Sequence, residues 1–301
     1  MDSLISFDKI GDVANNLINK LASALGWIAN RETPMKIAVN NYIGEISKGD
    51  YDPLTKAAMI SQAQKTIKEY TRQVNITKIA ISNLSDSAKP DDVDDDWLSQ
   101  FMDKARLVSN KDFQVIWGNI LAEECNHPGM VPKSLLHILE QMDKEDAKSF
   151  LKVCSVSVWY IVEDGNKEYC PIIHKNELDS FYNSIGITTG HLLNLQALGL
   201  IETSLGPLDT GFGIKNKKTP VTIHYFEKCY TLPHTLANFS VGDVVFTKPG
   251  AALCSAVNAE KQEEFFEKLC IPMWERESQQ HLQARQKPNE TSSDSPAPIA
   301  D

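Results

Sequence analysis

Apolar residues recur at steps of three and four along much of the first 154 residues, which is the spacing of helices with one buried face. The first of these helices is predicted over residues 7–29. Its stripe consists of Ile10, Val13, Leu17, Leu21, Leu25 and Ile28. Pro34 then predicts a break in the chain and the start of a new helix.

A second long stripe predicts a helix over residues 53–83, with Pro53 in its first turn, where the missing N–H costs nothing. Its apolar positions follow a heptad seam: Ile60, Ala63, Ile67, Tyr70, Val74, Thr77 and Ile81. This seam has two interpretations, a helix packed antiparallel on its neighbours in one bundle or one strand of a coiled-coil dimer. The flanking positions carry no ordered charge pattern, which favours the bundle.

Short polar connections separate the remaining helices of this region. Residues 85–96 form an acidic loop that is expected to cap the next helix, because aspartates are favoured at a helix N-terminus. That loop lacks the Gly and the terminal Glu of a calcium-binding EF-hand. Ser109 is predicted to cap a further helix that stops at the Pro128-Gly129 turn, and Asp143 opens another. Connections this short predict an antiparallel bundle.

Beyond Ser155 the pattern changes to β-branched and aromatic runs. Residues 156–162 and 169–173 are separated by the turn-forming residues 163–166, which predicts a β-hairpin or a helix end followed by a strand. The C-terminal half of the chain should therefore contain both helices and strands.

The clearest order of predicted helices and strands lies between residues 176 and 253. Two short helices are predicted at residues 176–185 and 188–198, and Gly199 should end the second in a left-handed cap before a strand begins at Leu200. A Gly- and Pro-rich excursion over residues 206–220, a strand over residues 221–232 and the run 244–253 follow. This order of helix, turn, helix, strand, wing and strand resembles a winged-helix domain.

The predicted fold is therefore mainly α, with an N-terminal helical bundle over residues 1–154 and a winged-helix-like α+β domain over residues 155–274. Residues 275–301 are rich in Gln, Ser, Pro and charge, which predicts a disordered tail that can begin with a helical extension through Arg285.

A winged helix that reads DNA usually carries Arg, Lys, Asn or Gln on its second helix. Residues 188–198 contain no Lys or Arg, and only Lys215, Lys217 and Lys218 in the predicted wing could contact phosphates. The net charge of −10 also opposes nucleic-acid binding. DNA is therefore a less favoured partner than protein.

Composition narrows the cellular setting. Six cysteines are scattered singly, without the pairing of a zinc site or a secreted disulfide framework. The first seven residues lack the basic start and apolar core of an export signal, and no apolar run is long enough for a membrane span. We expect a cytoplasmic protein without stable membrane insertion.

Catalytic motifs, metal-ligand spacings and cofactor-binding motifs are not recognisable. The closest metal pairs, Cys125 with His127 and Cys170 with His174, each supply two ligands where structural zinc needs four. Gln114 and Glu124 extend the row of Trp117 and could point into a groove. The favoured interpretation is that Glu124 accepts backbone N–H bonds from the Pro128-Gly129 turn. The sequence therefore predicts no enzyme, no cofactor and no metal.

One stretch carries a family resemblance. The run Q-V-I-W-G-N-I-L-A-E-E-C-N-H-P-G over residues 114–129 is similar to a bacterial family of uncharacterised proteins. The matching positions are Gln114, Trp117, Glu124, Pro128 and Gly129. The helical organisation also resembles the abortive-infection alpha type of phage-resistance protein. Neither resemblance implies a catalytic residue or a cofactor.

The functional prediction is a non-enzymatic binding or regulatory protein that engages a protein partner or a second copy of itself. The second resemblance suggests a setting in phage defence by abortive infection. One alternative is a DNA-binding winged-helix regulator. A second alternative is a membrane-perturbing effector that uses residues 15–29, although that segment lacks the basic polar face of most interfacial helices.

Overall fold

A computed structural model describes residues 11–26, 35–162, 165–174, 181–204, 212–215, 221–232 and 238–286. The chain forms two compact units. The first comprises residues 1–144, 198–200 and 247–258, and the second comprises residues 145–197, 201–246 and 259–301. The predicted boundary lay between residues 154 and 155, whereas the first division falls after Lys144 and the chain returns to the first unit twice.

The first unit is helical. Its helices are α1 (Asp12–Leu25), α2 (Met35–Lys48), α3 (Pro53–Ser82), α4 (Asp95–Ala105), α5 (Lys111–Asn126), α6 (Lys133–Gln141) and α9 (Lys248–Ala256), with a 3-10 turn at Pro90–Asp92. Helix α3 packs along α5 and α2, and α9 packs on α5 and α6. The prediction that α3 belongs to a bundle within one chain is confirmed by these contacts.

The α3–α5 contact depends on a glycine. A Cβ atom on Gly118 would lie 2.5 Å from Ile79 Cγ2 and 3.0 Å from the carbonyl oxygen of Ile76. Only a residue without a side chain lets the two helix backbones approach this closely. The core next to this crossing is filled by Ile76, Trp117, Ile120 and Leu121, all fully buried.

Helix starts follow from capping side chains. The Asp52 carboxylate accepts hydrogen bonds from the backbone N–H groups of Leu54 and Thr55, at 3.0 and 3.1 Å, directly before Pro53. Asn110 caps α5, so the predicted cap at Ser109 is wrong by one residue. Asn110 fits because its side-chain oxygen reaches two N–H groups of the first turn.

The acidic loop also behaves as a cap. Asp94 accepts a hydrogen bond of 2.8 Å from the backbone N–H of Trp97 and lies 3.0 Å from Lys133 Nζ. Asp95 lies 2.6 Å from Lys20 Nζ on α1. Asp94 therefore caps this helix, as the sequence predicted for the acidic loop, and Asp94 and Asp95 each have a lysine partner.

The second unit holds helices α7 (Lys144–Ser155), α8 (Thr189–Ala197) and α10 (Ile271–Gln286), with a π-helical segment at Phe265–Cys270. Its strands are β1 (Ser157–Ile161), β2 (Lys167–Pro171), β3 (Ile201–Thr203), β4 (Phe212–Lys215), β5 (Thr222–Tyr225), β6 (Lys228–Thr231), β7 (Asn238–Gly242) and β8 (Val244–Phe246). The described strands form one sheet of order β2-β1-β5-β6 and the antiparallel pairs β3-β8 and β4-β7.

The predicted hairpin after Ser155 is confirmed, since β1 and β2 pair antiparallel with Trp159 opposite Tyr169. The single strand predicted over residues 221–232 is wrong. Phe226 has a φ of 50° and turns the chain, so β5 and β6 form a hairpin with His224 opposite Cys229. A turn at a non-glycine residue leaves no Asn-Gly or Asp-Gly signal in the sequence.

Around α8 the local predictions hold. Gly199 follows the helix with a φ of 80°, the left-handed conformation that favours glycine, and β3 begins at Ile201. The short helix predicted at residues 176–185 is described only from Phe181 onward, where a helical turn precedes Gly186. Lys217 and Lys218 lie outside the described residues.

The helical extension predicted through Arg285 is present as the end of α10, which continues to Gln286. Trp274 anchors this helix because its buried ring contacts Phe266 and Tyr230 at centroid distances of 5.9 and 6.0 Å. Residues 287–301 lie outside the described residues.

The fold is therefore mainly helical, with small antiparallel sheets in the C-terminal half, as expected for an α+β protein. Among the described helices, none combines the length and apolar character needed to cross a membrane.

Candidate functional site

The residues of the 114–129 motif lie on α5 and the turn after it, inside the first unit. The side chains of Gln114, Trp117 and Glu124 are buried. Trp117 packs against Phe101 at a centroid distance of 5.1 Å, and Phe101 stacks on Trp97 at the same distance. These aromatic contacts form the centre of the α4–α5 packing.

Glu124 holds the turn that follows α5. Its two carboxylate oxygens accept hydrogen bonds from the backbone N–H groups of Gly129, at 2.7 Å, and Val131, at 2.9 Å. Burial raises the pKa of this carboxyl above its ordinary value, and the two backbone hydrogen bonds oppose the shift. The carboxylate thus fixes the Pro128-Gly129 turn, as the favoured interpretation of the sequence predicted.

Gln114 performs a similar task at the other end of α5. Its amide Nε2 donates to the carbonyl oxygen of Val108 at 2.8 Å, and Asn75 Nδ2 lies 3.5 Å from its Oε1. Two side chains of α3 also donate hydrogen bonds to backbone carbonyl groups nearby. Arg72 donates to the carbonyl oxygen of Arg106 at 3.1 Å, and Gln73 donates to that of Met102 at 2.9 Å.

The polar side chains of the motif therefore bond to backbone groups at the ends of helices. Gln114 and the α3 side chains satisfy carbonyl groups at the end of α4, and Glu124 satisfies N–H groups beyond the end of α5. Both polar residues that could have pointed into a groove have hydrogen-bond partners in the backbone.

Among the described residues, the thiol and imidazole candidates gain no third ligand. Burial raises the pKa of Cys125 to about 12 and that of Cys170 to about 12, which disfavours the thiolate that binds metals. Within the ranges that the structure describes, no group of three or more His, Cys, Asp and Glu side chains could hold a metal ion.

Of the three lysines of the predicted basic wing, only Lys215 lies within the described residues. Lys215 ends β4, which pairs antiparallel with β7, and its side chain is outside the described atoms. On α8 the polar side chains have partners within the second unit. Asn194 bonds to Asp146, Gln196 bonds to Thr203, and His191 Nδ1 lies 3.1 Å from the carbonyl oxygen of Gly186.

A surface that the sequence did not single out lies on α2, on residues 53–70 of α3 and on the turn that joins them at residues 49–52. We call this surface the arm. Helix α2 packs on α3, and the only buried apolar side chains among the described residues of the arm are Ile46 and Ala63. Large apolar side chains are exposed instead: Ile37, Tyr42, Tyr51 and Leu54. Leu54 is 80% exposed, the highest value among the large apolar residues described.

A groove of about 490 Å³ runs along this arm. It is lined by Val39 and Tyr42 of α2 and by Ala58, Met59, Gln62, Ala63 and Thr66 of α3. None of these side chains is charged, and most of the lining atoms are carbon. Such a surface is suited to binding an apolar protein surface, because contact removes that carbon from water.

The sequence pattern did not predict this site, because the heptad seam of α3 lies on a neighbouring face of the helix. Leu54, Ala58, Gln62 and Thr66 form a row at four-residue steps beside that seam, and three of the four are too small or polar to produce an apolar stripe. The available signal was an apolar residue outside that seam, Leu54, but the spacing alone does not reveal that it is exposed.

A family model described as "Protein of unknown function (DUF2806)" matches residues 59–270. The matched residues begin within α3 and end with the π-helical segment. No curated protein and no solved structure matches the chain.

Proposed function

Because the chain belongs to the family of proteins of unknown function DUF2806, we propose a function from its own surface: it is a non-enzymatic binding or regulatory protein that docks a protein through the arm. The observation that carries this proposal is the uncharged groove between α2 and α3, bordered by exposed Tyr42. Exposed apolar side chains in contiguous patches are typical of protein interaction sites.

A catalytic role is not needed to explain the buried polar residues of α5. Gln114 and Glu124 form their hydrogen bonds with backbone groups at the ends of helices, which supports a structural role for both. The arm, in contrast, carries apolar surface that contributes nothing to the interior of its own unit.

A winged-helix-like arrangement around α8 belongs to the same proposal. It is supported by the order of a helical turn at Phe181, α8, β3 and β8, with β3 and β8 paired antiparallel and Ile201 opposite Phe246. Since the exposed polar side chains of α8 bond within their own unit, this module is proposed to bind protein and not to read bases.

The cellular setting is proposed on two further grounds. No disulfide joins any of the six cysteines, all of which lie within the described residues, and this fits a reducing compartment such as the cytoplasm. A role in abortive infection rests on the resemblance of the helical organisation alone. Plating phages on cells with and without the gene tests that role, and equal plating efficiency across a phage panel would remove it.

The membrane-perturbing alternative has no comparable support. The apolar face of α1 is already used within the first unit, since Leu17 and Leu21 are fully buried and the helix packs on α4 and on the 3-10 turn. Insertion into a bilayer would first require this face to detach, at a cost of about 1.5–3 kcal/mol for each large side chain.

Photo-crosslinking in cells tests the docking proposal. A photoreactive phenylalanine analogue replaces Tyr42, which lines the groove and is 47% exposed. The matched control replaces Met130, which is exposed on the turn after α5. We expect a discrete protein adduct from position 42 and none from position 130. No adduct at position 42, or equal adducts at both, would overturn the proposal.

A further inference from the structure

The row of side chains that borders the groove is arranged so that it can pack against itself. Leu54, Ala58, Gln62 and Thr66 follow one another at four-residue steps on α3, and such rows are the ridges by which helices pack. Ala58, Gln62 and Thr66 line the groove, and Leu54 projects one turn beyond it. The same row thus supplies both a groove and a projecting apolar side chain.

We propose that the arm docks on the arm of a second copy of this chain, with the two α3 helices antiparallel about a two-fold axis between Ala58 and Gln62. This inference rests on the proposed docking function and names its partner. A two-fold contact is self-complementary, so each copy must present both halves of the interaction, as this row does.

The spacing fits such an axis. Leu54 and Thr66 lie equally far from the midpoint of the row, about 9 Å along the helix on either side, at about 1.5 Å per residue. In the antiparallel pair each Leu54 therefore reaches the groove of the other copy beside Thr66 and Gln62. The small side chain of Ala58 lies next to the axis and permits close approach of the helices.

Charge complementarity favours the same arrangement. The tip of the arm carries the exposed Asp50 and Asp52 together with Lys48 and Lys56, and the other end carries the exposed Lys65 and Lys68. An antiparallel contact centred near residue 60 places the two aspartates of each copy at the height of Lys65 and Lys68 of the other. At that end the carboxylate of Glu69 lies 3.2 Å from Arg106 and 3.8 Å from Lys65, so the cations there outnumber it.

The size of the arm sets the expected strength. Helix α2 is 14 residues long, and two adjacent helices give a face about 21 Å long and about 20 Å wide. Such a face projects to about 400 Å², compared with roughly 800 Å² buried by each partner in a standard stable interface. The dimer should therefore be weak and concentration-dependent.

Sedimentation equilibrium of the full chain tests the proposal over about 1–200 µM, the range in which an interface this small should associate. We expect the average mass to rise from 33.6 kDa toward twice that value. Ala58→Glu should hold the chain at the monomer mass, because it places two carboxylates near the axis. Met130→Glu, which adds the same charge elsewhere on the first unit, should associate like the parent.

Cysteine pairing tests the antiparallel register. In a Cys229→Ser background, which removes the one exposed thiol of the chain, separately tagged Ala58→Cys and Gln62→Cys chains are mixed and oxidised. The proposal expects more disulfide between unlike chains than between like chains. Preferential linkage of like chains would indicate a parallel contact and overturn the proposed geometry.

The two proposals fail differently. A parent chain that stays at the monomer mass up to about 200 µM, a concentration well above those of weak specific complexes, would overturn self-docking. A Tyr42 crosslink to a different protein would then still support docking at the arm. Far-UV circular dichroism of Ala58→Glu distinguishes lost association from lost folding, and position 58 is exposed on a helix, where glutamate is well tolerated.

Discussion

At the scale of single residues, the α3–α5 crossing gives a prediction with an internal control. Gly118→Ala places a methyl group within 2.5 Å of Ile79 and should lower the free energy of unfolding by about 1–3 kcal/mol, despite the better helix propensity of alanine. Gly44→Ala is the control, because its added methyl group meets no atom within 4 Å.

Gly44→Ala should raise the free energy of unfolding by about 0.5–1 kcal/mol, since alanine restricts the unfolded chain. Urea unfolding followed by far-UV circular dichroism measures both variants. Equal effects of the two substitutions would show that the α3–α5 backbones are farther apart than described.

Glu124 gives a prediction that depends on pH. The folded state raises the pKa of this carboxyl mainly by burial, so the folded chain binds its proton more readily than the unfolded chain. The contribution of Glu124 to stability is therefore greatest at acidic pH and decreases as pH rises through the raised pKa. Glu124→Gln, which cannot titrate, should lack this decrease.

The measurement compares urea unfolding of the parent and of Glu124→Gln from about pH 4, just below the ordinary pKa of a glutamate carboxyl, upward. The stability difference between parent and variant should shift against the parent as pH rises. A difference that moves in the opposite direction would mean that the hydrogen bonds to Gly129 and Val131 outweigh burial.

The residue scale also shows where sequence reasoning succeeded. The role of Glu124 followed from its place five residues before Gly129, because a carboxylate at a helix end has few partners besides the adjacent turn. Leu54 was not recognised, because exposure depends on which neighbours a helix receives in three dimensions, and sequence periodicity does not report that.

At the scale of elements, α10 tests how much one aromatic side chain contributes. Trp274→Ala removes a fully buried ring that contacts Phe266 and Tyr230, so it should destabilise the second unit by about 3–5 kcal/mol. Glu275→Ala, an exposed neighbour on the same helix, should change stability by less than about 0.5 kcal/mol. Hydrogen exchange of the α10 amides reports the difference locally.

Elements with strong local signals were predicted and those that depend on tertiary contact were not. Helix α3 was anticipated within a residue at each end, since Pro53 and the long stripe fix it locally. The β5–β6 hairpin was missed because its turn passes through Phe226 without glycine. The helical extension through Arg285 was predicted, but the domain boundary at residue 275 falls inside α10, because the polar residues after Trp274 conceal the effect of that single buried anchor.

At the scale of the whole molecule, the first unit is not contiguous in sequence. Helix α9 belongs to it, buries Leu253 and Cys254, and accepts a hydrogen bond of 2.8 Å from Asn119 Nδ2 at the carbonyl oxygen of Ala256. A fragment ending at residue 154 therefore lacks α9, a helix that forms part of the core of the first unit. The helical bundle predicted for residues 1–154 is incomplete in this respect.

We expect such a fragment to bind a hydrophobic dye strongly and to melt without a sharp transition, because α5 and α6 lose the helix that packs on both. Fusing residues 245–258 to the fragment through a flexible linker should restore part of the cooperative melt. A fragment that unfolds as sharply as the full chain would show that α9 contributes little to the first unit.

The late position of α9 has a consequence during biosynthesis. Roughly 130 residues separate the end of α5 from the end of α9, and a ribosome adding about 5–20 residues per second needs about 6–26 s to make them. During that interval the apolar surface of α5 and α6 that α9 later covers stays exposed on the nascent chain. Chaperone occupancy on translating ribosomes should therefore be highest before codon 258 and fall after α9 has left the exit tunnel.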